Sequence, residues 1–166
     1  MLNKLKKLQQ QKSSEGFTII EVMIVLAIAG LIILIVLLAV PALQRNSRNT
    51  AIKNDASAVA AAISTYASDN DGKALTVVGD ITGSAPTYTI GASGTSQAEA
   101  KVQGGTTVTA VVAQPTVALD PGVIQVVIRK DCDNKTSNRS VAIWYSIETS
   151  KAVPATAPFN NKCING

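Results

Sequence analysis

The side chain whose position most needs a chemical explanation is Glu21. It lies five residues after Gly16 and directly before a run of 19 residues, Val22 to Val40, that contains no charged or strongly polar side chain. A carboxylate where an apolar helix enters a membrane is costly to bury, so it should have a function or a partner. Thr18 and Glu21 have the spacing of a capping box, in which both side chains satisfy free N–H groups of the first helical turn. The sequence therefore predicts that Glu21 either caps its own helix or pairs with a cation.

Residue types needed for catalysis or metal binding are sparse. The chain has no histidine, no G-x-S-x-G motif, no Gly-rich phosphate loop after a strand and no cluster of metal ligands. The acids at Asp69 and Asp71 have the spacing of a calcium-loop fragment, but the later bidentate glutamate is missing. Two N-glycosylation triplets begin at Asn134 and Asn138, although such triplets often arise by chance. We expect no enzyme activity, no cofactor and no metal.

The element that positions Glu21 is a candidate membrane helix. Val22 to Val40 would span about 28 Å as an α-helix, close to the hydrocarbon thickness of a bilayer. Four lysines precede it and favour a cytoplasmic amino terminus; they are Lys4, Lys6, Lys7 and Lys12. A secretory signal peptide is the main competitor. Its apolar region usually has about 7–15 residues, and it ends at a small-residue cleavage site that Pro41 to Leu43 imitates only loosely.

The segment resembles the class III leader of the type IV pilin and pseudopilin family. The resemblance is carried by the basic stretch, Gly16, Phe17, Thr18, a pair of aliphatic residues, Glu21 and the apolar stretch, in that order. It implies that residues 1–16 are a leader and that a membrane peptidase cuts between Gly16 and Phe17. It also implies that the peptidase methylates the new amino terminus on Phe17. Mature chains of the family then assemble through their apolar helices into a filament.

The resemblance gives Glu21 a second partner. Cleavage would create a charged amine on Phe17, and in the family the equivalent glutamate is thought to pair with the amine of a neighbouring subunit. Such a pair selects the incoming subunit and sets its axial register. The pair could also form within one chain, because the terminus lies about one helical turn away. We favour a role in assembly for Glu21, with Thr18 beside it, over capping alone.

Two residues bear on the shape of the membrane helix. Pro41 lacks an N–H and should kink the helix without ending it, because a helical pattern continues beyond it. Gly30 costs about 1 kcal/mol relative to alanine in a helix, unless bending or close approach uses it. In some filaments of the family the helix melts between a glycine here and a downstream proline. Pro41 falls later than the commonest position, so a shifted kink is an equal expectation.

The continuation of the helix, 44–72, is predicted to be amphipathic. Its apolar stripe has spacings of four, three, four and three residues, and consists of Ile52, Ala56, Val59, Ile63 and Tyr66. The opposite face is expected to be polar and to contain Arg45, Arg48, Lys53, Asn54 and Asp55. Gly72 should end the helix in a left-handed conformation. The apolar stripe requires a sheet to cover it.

The remaining residues predict a small sheet. Residues 73–105 are rich in Gly, Ser and Thr and are expected to form a connecting loop, with only Thr87 to Ile90 suggesting a strand. Three β-branched segments predict an antiparallel meander: Thr106 to Ala113, Val123 to Arg129 and Val141 to Glu148. The expected fold class is α+β, with a long amino-terminal helix (membrane-spanning over 17–43) packed on a small antiparallel β-sheet within 106–166. The resemblance implies the same arrangement, the pilin fold.

Cys132 and Cys163 are the two cysteines of the chain. If the globular part is exported, they should form a disulfide, which would stabilise so small a core by roughly 3–4 kcal/mol. Many type IV pilins carry a carboxyl-terminal loop that is closed in this way. Two unrelated buried thiols are the alternative. A metal site is disfavoured because no histidine and no further cysteine are available.

The charge distribution gives little support for a polyanionic partner. The whole chain has a net charge of +4, but the leader carries +3 of it, so the mature chain would carry only +1. Steering of nucleic acid by the whole protein is therefore a poor inference. Nucleic acid is a possible partner, but the sequence does not support it.

The resemblance implies a structural subunit of a type IV pilus, and we expect the major pilin. The filament would serve adhesion, motility or DNA uptake. Implied partners are identical subunits, the prepilin peptidase, the assembly platform with its ATPases, and the cytoplasmic (inner) membrane before assembly; the surface or host receptor is unknown. One alternative is a minor pilin, or a pseudopilin of a secretion or competence system. An alternative of another class is an adhesin or binding module held by an uncleaved membrane anchor.

Overall fold

The computed structural model describes residues 16–149 and 161–166, so most of the leader and residues 150–160 lie outside the described residues. The chain divides into two compact units between Ala42 and Leu43. Among the described residues, one α-helix, α1 (Ile19–Asp69), is followed by a short 3-10 helix (Val78–Asp80) and seven strands. The strands are β1 (Ile81–Ser84), β2 (Thr87–Ile90), β3 (Ala98–Lys101), β4 (Thr107–Val111), β5 (Val123–Lys130), β6 (Thr136–Ser146) and β7 (Asn161–Asn165). The predicted α+β class is confirmed.

In the first unit, α1 presents its large apolar side chains to the surroundings. Phe17 is 88% exposed, and the leucines, isoleucines and valines that follow it are exposed as well. Within the part of the chain that the structure describes, α1 is the one helix with the length and composition to cross a membrane. Gly30 and Pro41 both lie inside the helix. A kink or local melting between them stays a prediction.

In the globular unit, Leu43–Gly166, the predicted stripe of α1 packs on the sheets. All five stripe residues are buried, and they join one core with side chains from both sheets. The helix ends as predicted, because Gly72 has a φ of 73° and its N–H donates to the carbonyl of Ala67 at 2.7 Å. The helical period was therefore sufficient to identify which face of α1 is covered.

The assignment of Asp55 to the polar face was wrong. Asp55 is 95% buried, since only 5% of it is exposed. Its carboxylate accepts hydrogen bonds from the hydroxyl of Thr106 at 2.6 Å and from the backbone N–H of Gln103 at 3.2 Å. Asp55 lies three residues after Ile52 and four before Val59, so its helical position belongs to the stripe. Burial is tolerated because the connection between β3 and β4 supplies the donors that a buried carboxylate needs.

The segment 73–105 is not a connecting loop, because it contains an antiparallel sheet in the order β1-β2-β3. The strand expected at Thr87 to Ile90 is confirmed as β2. β1 was missed because none of its residues is buried, and β3 was missed because its buried residues, Ala98 and Ala100, are small. Gly91 allows the chain to pack closely against Tyr66. A Cβ added at Gly91, where φ is 129°, would lie 2.6 Å from Cε2 of Tyr66.

The second sheet has the order β4-β5-β6-β7, and the predicted antiparallel meander is wrong for its first pair. β4 and β5 are parallel, whereas β5–β6 and β6–β7 are antiparallel. A parallel pair requires a crossover connection, and residues 112–122 provide it. The pattern of β-branched residues does not encode strand direction, which explains the error.

The connection 112–122 crosses the sheet face that points away from α1. Asn161 on β7, at the far edge of the sheet, donates its side-chain amide to the carbonyl of Val117 at 2.9 Å and accepts the N–H of Leu119 at 3.0 Å. Leu119 is buried, as are Val127 and Ala142 of β5 and β6, and none of these three belongs to the core cluster shared with α1. The sheet is therefore covered on both faces.

A polar clasp joins α1 to the end of β6 inside the globular unit. The guanidinium of Arg48 donates to both carboxylate oxygens of Glu148, at 2.6 and 2.8 Å. The Asn49 amide donates to the backbone carbonyl of Glu148 at 2.8 Å and accepts its N–H at 2.7 Å. The hydrogen bonds from Arg48 hold the pKa of Glu148 below its ordinary value.

The clasp predicts a pH-dependent effect of Arg48→Gln on stability. Because the pKa of Glu148 is lowered by folding, the ion pair stabilises the fold above the unfolded pKa of Glu148, and this contribution is lost as the pH falls through the folded pKa. Urea unfolding should show Arg48→Gln less stable than the parent at neutral pH and equal to it in acid. The effect should be small and weakened by salt, because Arg48 is exposed.

Lys53→Gln is the matched control, since Lys53 is an exposed cation of the same helix without an ion-pair partner in the described chain. It removes one positive charge but leaves the clasp intact. A pH profile of Arg48→Gln that runs parallel to that of Lys53→Gln would contradict the assignment.

Candidate functional site

The site predicted around Glu21 lies at the very start of α1. Gly16, Phe17 and Thr18 precede the helix and belong to no regular element, and the helix begins at Ile19. The Gly16–Phe17 peptide bond, where cleavage is predicted, therefore lies just outside the helix. This boundary agrees with the residue types, because threonine is a preferred N-cap residue.

Thr18 and Glu21 form the predicted capping box. The carboxylate Oε2 of Glu21 accepts the backbone N–H of Thr18 at 2.9 Å and its hydroxyl at 2.8 Å, and the N–H of Glu21 donates to the Thr18 hydroxyl at 3.3 Å. The carbonyl of Thr18 accepts the N–H of Val22 at 3.3 Å, which closes the first helical turn. Thr18 and Glu21 therefore cap the start of α1.

Capping occupies only one oxygen of Glu21. Both hydrogen bonds that the carboxylate accepts end on Oε2, and Oε1 has no hydrogen-bond or ion-pair partner within residues 16–149 and 161–166. A carboxylate has roughly four acceptor positions, so the cap leaves room for a second donor. Capping and pairing with a cation are therefore compatible.

The surroundings of this carboxylate are apolar. A shallow groove beside it is lined by Phe17, Val22, Ile24, Val25 and Leu26. If other apolar groups covered this groove, the ionised Glu21 would need a cation, because a buried unpaired charge is strongly unfavourable.

The second predicted site is confirmed, because Cys132 and Cys163 form a disulfide with their Cα atoms 5.8 Å apart. Cys132 lies in the turn between β5 and β6, and Cys163 lies in β7 opposite Trp144. The N–H of Cys132 also donates to the side-chain oxygen of Asn165 at 2.9 Å. The bridge therefore fixes β7 to the turn between β5 and β6.

Sequence reasoning missed the amide side chains that hold this region together. Asn49, Asn161 and Asn165 each bond to the backbone of a distant segment. Asparagine readily replaces a backbone partner in this way, but its sequence position does not tell which backbone it will meet. Among the described residues, no three His, Cys, Asp or Glu side chains are grouped in an arrangement suited to a metal ion.

Comparison with known proteins identifies a sequence motif in the amino-terminal segment. A family model described as the prokaryotic N-terminal methylation motif matches residues 11–37, which include Gly16, Phe17, Glu21 and Gly30. No curated protein and no solved structure matches the chain. The matched segment combines the end of the basic stretch with the capped start of an apolar helix. Residues 11–37 therefore carry the prokaryotic N-terminal methylation motif, which is the class III leader sequence of type IV pilins.

Proposed function

We propose that this protein is the major pilin of a type IV pilus. In this proposal the prepilin peptidase cuts between Gly16 and Phe17 and methylates Phe17, and the mature chain polymerises through α1. The observation that carries the proposal is the methylation motif at residues 11–37, which continues into a helix whose apolar side chains are exposed. The filament would serve adhesion, motility or DNA uptake.

The apolar part of α1 supplies the driving force for assembly. Before assembly, its apolar side chains would contact the acyl chains of the cytoplasmic membrane. The length and composition of the helix fit this location. After extraction from the membrane they would be exposed to water unless other copies covered them. At about 25 cal/mol per Å² of buried apolar surface, packing of many such helices in the filament centre needs no covalent links.

Glu21 would select the incoming subunit. The amine created on Phe17 would carry a positive charge and need a counter-ion. Oε1 of Glu21, which has no partner within the described residues, would accept a hydrogen bond from such an amine on a neighbouring subunit. Thr18 acts as a positioning residue, because its two hydrogen bonds hold the other oxygen and fix the orientation of the carboxylate. In the apolar filament centre, an approaching subunit without this pair would bury two unpaired charges.

The first test is intact-mass and amino-terminal analysis of the protein in sheared surface filaments. A chain that begins at methylated Phe17 and forms most of the filament mass supports a processed major pilin. The same start in a trace component would contradict the assignment as major subunit and indicate a minor pilin or pseudopilin. A chain that still carries residues 1–16 would overturn the proposal and favour an adhesin or binding module with an uncleaved anchor.

A further inference from the structure

A polar groove of about 420 Å³ lies at the start of the globular unit, between α1 and the turn that joins β3 to β4. The helix and the turn supply its polar side chains, which are Asn46, Ser47, Thr50, Asn54 and Gln103. The Thr50 hydroxyl donates to the carbonyl of Asn46 at 2.9 Å, whereas the other four side chains make no hydrogen bond among the described residues. The groove therefore offers several unused N–H and O–H donors.

The helix beside this groove is cationic. After α1 enters the globular unit, it carries Arg45, Arg48 and Lys53 and no acidic residue before Asp55. Asp55 is buried and has its own donors, as described above. Glu148 offsets one of the three positive charges, because Arg48 is bonded to it. Two positive charges remain, so this surface favours an anionic group.

The position of the groove in the chain brings it to a membrane surface. Leu43 is the last large apolar residue before the groove, and it is 66% exposed. Asn46 and Ser47 follow Leu43 by three and four residues, which corresponds to roughly 5–6 Å along a helix. The headgroup layer on each side of a bilayer is about 5–8 Å thick. When the apolar run spans the cytoplasmic membrane, the first donors of the groove and the nearby Arg45 would therefore reach the lipid phosphates on the outer side.

We propose that this groove binds the phosphate of an anionic phospholipid in the outer leaflet of the cytoplasmic membrane before the chain is assembled. A phosphodiester group offers acceptors and a negative charge, which match the unused donors and the remaining cations. This inference rests on the proposed function, because it concerns the subunit that awaits assembly. Binding of this kind would retain the subunit at the membrane until its helix is extracted.

Lipid retention by the full chain tests the proposal. The protein is reconstituted in vesicles with equal amounts of phosphatidylglycerol and phosphatidylcholine, and the lipids that remain bound in mild detergent are counted by native mass spectrometry. Both lipids contain a phosphate, but phosphatidylcholine is neutral overall. Each cation near the headgroups favours an anionic lipid by about fivefold, so the parent should retain phosphatidylglycerol over phosphatidylcholine by at least about that factor.

Two variants separate the donors of the groove from its charge. Asn46→Ala/Ser47→Ala removes two donors without changing the charge, and it should lower the bound phosphatidylglycerol about threefold or more. Arg45→Gln should lower it about fivefold. Lys73→Gln and Ser64→Ala are the matched controls, because both residues are exposed and neither lines the groove. Both controls should retain as much phosphatidylglycerol as the parent.

A parent protein without a preference for phosphatidylglycerol would overturn the proposal, as would an equal loss in Lys73→Gln. A preference that falls in Arg45→Gln but persists in Asn46→Ala/Ser47→Ala would also overturn it, because such a result indicates diffuse attraction of charges and no binding in the groove. The amount of surface filament in the same strains distinguishes this inference from the proposed function. Normal filaments without lipid preference would contradict only the groove, whereas absence of parent filaments would contradict the proposed function.

Discussion

Glu21→Gln is expected to leave the start of α1 intact and to reduce filament assembly by at least about tenfold. Glutamine keeps an oxygen that can accept the two hydrogen bonds from Thr18, so the cap should survive. It removes the negative charge, so the amine of a neighbouring subunit would be buried without a counter-ion. A lost buried pair costs roughly 3–5 kcal/mol, which is more than enough for such a decrease. The measurement is the amount of sheared surface filament relative to the amount of processed protein in the membrane.

Thr18→Ala is the matched comparison for this experiment. It removes the hydroxyl of the cap, at a typical cost of about 1 kcal/mol, and leaves the charge on Glu21. If pairing dominates, Thr18→Ala should assemble far better than Glu21→Gln. If Glu21→Gln assembles normally, the pairing mechanism is wrong. Normal assembly of Glu21→Gln together with a defect in Thr18→Ala would show that capping alone explains the residue.

Loss of the disulfide is expected to have the largest effect on stability. The bridge joins residues that are 31 positions apart in sequence, so the chain-entropy model gives roughly 3–4 kcal/mol of stabilisation. Domains of this size are typically stable by only about 5–15 kcal/mol. The double variant Cys132→Ser/Cys163→Ser should therefore lower the free energy of unfolding by about that amount. Its urea transition can be followed by fluorescence of Trp144, the one tryptophan of the chain, which lies opposite Cys163.

The parent protein under reducing conditions is the control for this prediction. Reduction keeps both side chains and breaks only the covalent link, so it should reproduce most of the destabilisation. A change below about 1 kcal/mol in the double variant would show that the hydrogen bond between Cys132 and Asn165, with the β6–β7 ladder, is sufficient to hold β7.

The features that the sequence predicts well are those with a period or a fixed local spacing. The stripe from Ile52 to Tyr66 is buried as expected, because the helical period follows from backbone geometry. The capping box between Thr18 and Glu21 needs only a spacing of three residues. Both are local properties, so no knowledge of the rest of the fold was required.

The features that sequence reasoning missed depend on residues that are distant in the chain. Asp55 is a polar residue on the buried face of α1, and hydrogen bonds from Gln103 and Thr106 stabilise its carboxylate there. No local sequence pattern predicts these two donors. The parallel pairing of β4 with β5 depends on the path of the connection between them. The role of Glu148 in the clasp likewise depends on Arg48 and Asn49, about a hundred residues earlier.

The connection between β4 and β5 covers the face of the second sheet that points away from α1. On that side, the exposed surface is therefore formed by the connection and not by the strands. The strands at the centre of the second sheet lie between α1 and the connection 112–122, so their side chains contribute little to what another molecule would encounter on that side. Surface connections tolerate substitution and insertion better than the elements they join. Val112 and Val117 on the connection are exposed, and substitutions there would alter the exterior without repacking the core. The protein can therefore change its outward appearance over evolution while the strands beneath, and the helix on their other side, stay the same.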